Sequence, residues 1–428
     1  MVEVKWKNMF RGLRVFYGWI VVVCVSILLF LTFGSVYSFT TFFESFQVEL
    51  GTSRSSTSFV FAIAGFLYFS LGAVSGQVAD RVGSRWVIIF GVVVIGLGLL
   101  LSSFAATVRQ IYIFYGLGIG IGVGFTYVPA VGVVQRWFVD RRGLASGLAV
   151  MGIGLGTLGM PIFSAFLIHW SGWRTAYLVM SACVLCGGIA AALLIVEPPG
   201  VLGLMPDGKP VGNVPPGQRA IVSTGPEQST GELRVRDVLR TRPFWLLYAG
   251  SLAISMGLFI PFVHLMPFSK DLGFATSTGV MLFSLIGVGS TVGRFLIGGF
   301  ADRIGRRMAL AGTYAVMAAV FAWWLTAGSI WELALLSLIF GVSYGGFVAL
   351  LPAVTADYFS GINISGILGA LYTSVGIGSL LGPTFAGLMF DLQQSYAIPF
   401  AASMFAAVTA SVCTLYLDDP ADWRDKCF

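Results

Sequence analysis

The sequence predicts an all-α integral membrane protein whose twelve spans form two related six-helix halves. Three observations predict it. The 428 residues are 57% apolar and only 10% charged, with a mean hydropathy of +0.89, whereas a soluble chain is nearer a quarter charged. Apolar runs of about 20 residues, the length that crosses a hydrocarbon core, recur as two sets of six. A group of motifs in the first set returns in the second at one fixed offset.

The first set lies near 16–40, 56–79, 86–106, 111–135, 143–168 and 174–196. Its opening run is too long for a signal h-region and lacks a cleavage site after it, so it is read as a retained span. Residues 197–242 follow, with Pro198, Pro199, Pro206, Pro210, Pro215, Pro216 and Pro226 among glycines and serines. That composition is a flexible linker. The second set lies near 243–268, 278–301, 308–327, 331–356, 364–388 and 395–417. The expected organisation is an N-terminal bundle over 1–196, a cytoplasmic linker over 197–242 and a C-terminal bundle over 243–428.

Lysine and arginine set the orientation. Of 25 basic residues, only Arg54, Arg109, Arg174 and Lys270 fall in the loops on one side, and Arg294 falls inside a span. The rest lie on the other side, which is therefore cytoplasmic and holds both termini. Spread over short loops, the net charge of +6 reads as topology and does not call for nucleic acid. A multi-pass protein of a bacterial inner membrane is expected, with the lipid bilayer as its surroundings.

The repeat is explicit. Gly76, Asp80, Arg81, Gly83 and Arg85 return as Gly298, Asp302, Arg303, Gly305 and Arg307. Gly147, Gly154, Gly156 and Pro161 return as Gly369, Gly376, Gly378 and Pro383. Two such halves place a site between them near the midplane.

Several classes are excluded. Cys24, Cys183, Cys186 and Cys413 lie in apolar spans and read as small hydrophobes. His169 and His264 are the only histidines, so neither a metal site nor a cofactor is expected. There is no P-loop motif for ATP. An enzyme is not expected, and a receptor would need a signalling domain that the chain does not show.

The GxxADRxGxR element, present in both halves, resembles the signature loop of the major facilitator superfamily, and through the repeat the resemblance covers the whole chain. It implies the major facilitator fold, a functional monomer, and a cytoplasmic gate formed by Asp80, Arg81, Asp302 and Arg303. Trp137-Phe-Val-Asp-Arg141-Arg142-Gly-Leu144-Ala145-Ser-Gly147-Leu-Ala149, with Tyr17-Gly18-Trp19 at the first span, is similar to the monocarboxylate transporter family. The bacterial oxalate–formate exchangers share these features.

Arg294 is the central residue of this reading. A cation inside a span costs at least about 2.5 kcal/mol, and no acid lies between Asp271 and Asp302 to neutralise it. The resemblance implies that it binds the substrate carboxylate, for which a guanidinium offers a planar fork. Two departures bear on the substrate. The acid that animal members carry one turn earlier is Ser290 here, and Val36-Tyr37-Ser38 replaces the lysine of the first span. The second cation that the oxalate exchangers carry in span 11 is missing too. One cation suits one carboxylate, such as L-lactate or pyruvate. Tyr127, Tyr344, Tyr37 and Tyr372 are candidate hydrogen-bonding partners, Phe347 an apolar wall, and His264 a substrate or proton ligand on a span that Pro261 and Pro267 bend. Asp271, with His264, is the candidate proton carrier. The expected function is secondary transport of a short monocarboxylate with a proton; the alternative is a formate- or oxalate-type antiporter.

Overall fold

An apolar run in lipid satisfies its backbone N–H and C=O groups internally, and a helix is the simplest way to do so. The computed structural model describes residues 16–138, 141–196, 206–208, 238–359 and 364–419, and no strand occurs among them. The expected linker lies outside the described residues apart from 206–208 and its last five positions.

The first span is two helices, α1 (Tyr17–Tyr37) and α2 (Phe39–Leu50), meeting at Ser38. Helix α3 (Arg54–Val82) begins where the Ser53 hydroxyl accepts the Ser56 N–H, an ordinary N-cap. Helix α4 (Ser84–Ser103) follows directly. Helix α5 (Val108–Trp137) starts from a capping box of Thr107 and Gln110. Helix α6 (Arg142–Cys183) turns at Gly172, whose φ of 80° an L side chain would resist, and leads through a π turn to α7 (Ile189–Leu194). In the second half, α8 (Arg242–Leu258) and α9 (Ile260–Asp271) share a span and meet at Phe259. Then come α10 (Thr276–Ile304), α11 (Arg306–Trp324), α12 (Ile330–Phe359), α13 (Ile364–Gln393) and α14 (Ala397–Leu415).

Ten stretches of the described residues are long and apolar enough to cross a membrane. One of them, Leu144–Leu194, has 51 residues and bends at Gly172, so it accommodates the fifth and sixth expected spans. The ninth expected span is α11, which is helical but falls outside the ten.

The backbone repeats as the sequence does. Positive φ occurs at Gly51 and Gly273, at Gly83 and Gly305, and at Gly172 and Gln394, each pair 222 residues apart. Two side-chain clamps repeat as well. Arg85 donates from Nε to the Ile195 carbonyl at 2.7 Å, and Arg307 donates to the Leu417 carbonyl. The Trp137 indole donates to the Val196 carbonyl at 2.8 Å, and the Tyr358 hydroxyl to the Asp418 carbonyl. In each half the last arginine of the signature loop thus fastens the end of the sixth span. Across the halves, α3 packs on α13 and α6 packs on α10, the two contacts that a pseudo-twofold axis exchanges.

Candidate functional site

Helix α10 carries Arg294, and glycine decides how closely α10 approaches its neighbour. Gly289 and Gly293 on α10 face Gly341 and Gly345 on α12. A Cβ at Gly293 would overlap the Val342 carbonyl oxygen, and one at Gly345 would overlap that of Ser290. Two small-xxx-small faces in register let the backbones touch. Arg294 on α10 and Tyr344 and Phe347 on α12 consequently enter one cavity.

That cavity measures about 660 Å³, counting solvent at its mouth. Its aromatic lining consists of Tyr37, Tyr68, Tyr127, Tyr344 and Tyr372 with Phe33, Phe69, Phe259 and Phe347. Among the described residues Arg294 is the only charged side chain lining it. Arg294 Nη1 donates to the Val150 carbonyl on α6, across the halves, at 2.7 Å. Nε and Nη2 are buried and have no partner. Those two nitrogens form one edge of the guanidinium, so the fork presents an unsatisfied bidentate face. A buried cation with open donors is costly unless an anion meets it.

The roof of the cavity is a tyrosine pair. The Tyr37 and Tyr344 hydroxyls lie 2.7 Å apart and join the halves, and Tyr37 stacks on Phe262 at 4.7 Å. The Tyr68 hydroxyl in the same cavity is buried without a hydrogen-bond partner among the described residues. Gly72, the position equivalent to Arg294 in the first half, lines the same cavity.

The structure brings together six of the residues singled out from sequence: Arg294, Tyr37, Tyr127, Tyr344, Phe347 and Tyr372. His264 is placed elsewhere. It is buried beyond the tyrosine roof, with Nε2 2.9 Å from the Pro383 carbonyl and 3.0 Å from the Ser58 hydroxyl, and Nδ1 3.0 Å from the Tyr396 hydroxyl. Phe259, five residues earlier on the same span, lines the cavity, and His264 does not. Asp271 lies at the same end and receives both Nη1 and Nη2 of Arg54 at 2.6 Å. Its neighbour Lys270 pairs with Glu44.

At the opposite end, Asp80 accepts from Arg136 of its own half at 2.6 Å. Arg81 and Arg303 are exposed, and the Asp302 side chain lies outside the described residues. Arg306 bonds Asp357 at 2.8 Å, again within one half. Sequence reasoning missed Arg54, Tyr396 and Asp391, counting Arg54 only as an outside charge. It also missed the Arg85 and Arg307 clamps, although both arginines sit at the repeat offset.

The description "Major Facilitator Superfamily" matches residues 25–317 and 281–426. The chain belongs to the major facilitator superfamily. Its sequence relatives include monocarboxylate transporter 12-B of Danio rerio, 27% identical over 92% of this chain and 86% of that one. Monocarboxylate transporter 13 of Bos taurus is 28% identical, over 90% and 85%. The recognition of this superfamily and its monocarboxylate transporter family from sequence is supported by these relatives. In structure, the chain resembles a bacterial homologue of the human lysosomal transporter Spinster, in its inward-facing and occupied conformation. The TM-score is 0.67 at 17% identity, covering 92% of this chain and 95% of that one, a likeness of fold alone. As a major facilitator protein, this chain is a multi-pass membrane transporter and not an enzyme.

Proposed function

We propose that this transporter moves short monocarboxylates, such as L-lactate or pyruvate, together with a proton. One observation carries the reading: the buried Nε–Nη2 edge of Arg294 faces an aromatic cavity with no partner of its own. A carboxylate offers two oxygens at the spacing of that edge. A diacid would leave its second charge among tyrosines and phenylalanines without a counter-ion. Tyr127, Tyr344, Tyr37 and Tyr372 supply hydroxyls to the carboxylate or to a substrate hydroxyl, and Phe347 forms a wall. The relatives named as monocarboxylate transporters support the same substrate class.

The basic bias of the loops favours cytoplasmic termini in a bacterial inner membrane. The Arg54–Asp271 and Lys270–Glu44 pairs, which cross the halves, then close the outside, as an inward-facing state of alternating access requires. Opening that side frees the Asp271 carboxylate to take up a proton. A bundle over 1–196, a linker over 197–242 and a bundle over 243–428, acting as a monomer, suffice for this cycle.

Uptake of labelled L-lactate into proteoliposomes, with and without an inward proton gradient, tests the proposal. Gradient-driven accumulation is expected. Exchange against preloaded formate or oxalate, without accumulation, would replace symport by antiport.

A further inference from the structure

We propose that a neutral His264 keeps the Arg54 end of the molecule closed, through a hydrogen-bond chain that protonation breaks. The chain runs from Arg54 through Tyr396 to His264 and ends on the Pro383 carbonyl.

The closure at this end is asymmetric. In the first half, Glu49 pairs with Arg174 of the same half. The positions 222 residues later are Asp271 and Tyr396, so the second half has the acid but not its arginine. Arg54 of the first half reaches across instead. It meets Asp271 through two nitrogens at 2.6 Å, donates to the Tyr396 hydroxyl at 2.7 Å, and lies 3.6 Å from the Phe390 ring centroid. Asp391 of the second half accepts the Arg54 and Ser55 N–H groups at 3.0 Å and the Ser55 hydroxyl at 2.6 Å. It therefore caps α3 from the other half.

Proton positions follow from which groups can only donate or only accept. The Pro383 carbonyl only accepts, so His264 Nε2 carries a hydrogen. The Ser58 hydroxyl donates to the Arg54 carbonyl at 2.6 Å, which leaves its oxygen as a second acceptor for Nε2. Arg54 only donates, so the Tyr396 oxygen accepts from it, and the Tyr396 hydrogen points to a bare Nδ1. Of these bonds, the one from Tyr396 to Nδ1 requires a neutral imidazole.

A proton from solution bound at Nδ1 turns that acceptor into a donor facing the Tyr396 hydrogen. It also sets an imidazolium beside the Arg54 guanidinium. The charged groups around the ring are Arg54 on α3, Asp391 on α13, and Asp271 and Lys270 further along its own helix; Phe43 on α2 offers only a ring edge. Asp391 is committed to the start of α3, and Lys270 to Glu44. The imidazolium therefore repels the Arg54 guanidinium while the Tyr396 bond that joins them is lost, and the contact between the halves is weakened.

The test uses purified protein in nanodiscs with its five cysteines replaced by serine. A reporter is placed by Thr40→Cys, a buried site whose threonine hydroxyl faces the Val263 carbonyl across the halves. Maleimide labelling is normalised at each pH to Val48→Cys, a 75% exposed position on α2. Normalised labelling is expected to rise about fivefold between about pH 7.5 and 5.5, because the ring, once released to water, takes up a proton in the ordinary histidine range. Both His264→Asn and Tyr396→Phe should flatten the profile, and Glu49→Gln, in the pair that stays within one half, should leave it intact. A flat profile in the parent, or an unchanged slope in either His264→Asn or Tyr396→Phe, would overturn the proposal.

Discussion

Residues 72 and 294 hold equivalent places in the two halves and line one cavity, yet the first is glycine and the second arginine. The same contrast appears at the far end, where Arg174 of the first half corresponds to Tyr396 of the second. The scaffold is duplicated down to its positive-φ residues and its arginine clamps, while Arg294 and Arg174 have no charged counterpart in the other half. Duplicated helices give two bodies that can rock against each other about a fixed site. Single charges distinguish the two sides: Arg294 enters the cavity from α10, and at the far end Arg54 and Lys270 each pair across the halves.

The largest effect is expected where the scaffold has no room. Gly293→Leu drives a side chain into the Val342 carbonyl. Overpacking of this kind costs about 1–3 kcal/mol or more, so uptake should vanish and the thermal midpoint in detergent should fall. Gly299→Ala, facing open space on the same helix, should leave both unchanged. Next comes the contrast itself. Gly72→Arg places a second cation opposite Arg294, with the Val128 methyl 3.1 Å from the new Cβ having to yield. Malonate should then compete with labelled L-lactate about tenfold better than it does against the parent, because its second carboxylate gains a partner. A smaller change follows from Tyr344→Phe. Losing the hydroxyl pair with Tyr37 removes one hydrogen bond of about 1 kcal/mol and should raise the KM for lactate about fivefold. The smallest effect sharpens the symmetry: Arg85→Gln and Arg307→Gln should each lower the thermal midpoint by a few degrees, and by similar amounts. Strongly unequal shifts would break the equivalence of the two clamps.

Much of the fold was legible because hydropathy and repetition are local properties of the chain. The six-plus-six runs, the bend at the proline-bearing seventh span and the 222-residue offset all came from counting. Arg294 was legible for a different reason, since a lone cation in an apolar run has no local explanation. Its partner carbonyl at Val150 was not, because a backbone oxygen leaves no mark in the sequence. Asp271 could be named but not its partner, since Arg54 lies 217 residues away and the nearer Lys270 looked sufficient. His264 was expected to bond substrate or carry a proton; it lies outside the cavity lining, against Ser58, Pro383 and Tyr396. The signature loop was read for Asp80, Arg81, Asp302 and Arg303, whereas Arg85 and Arg307 make the repeated bonds.

The account stands or falls on the fork of Arg294. Labelled L-lactate uptake should be measured side by side for the parent, Arg294→Ala and Arg294→Lys, each shown by size exclusion to be folded. Both variants should lose uptake, lysine included, because a point charge does not replace two parallel donors. Near-parental uptake by Arg294→Lys would contradict the bidentate site, and near-parental uptake by Arg294→Ala would remove Arg294 from the site altogether.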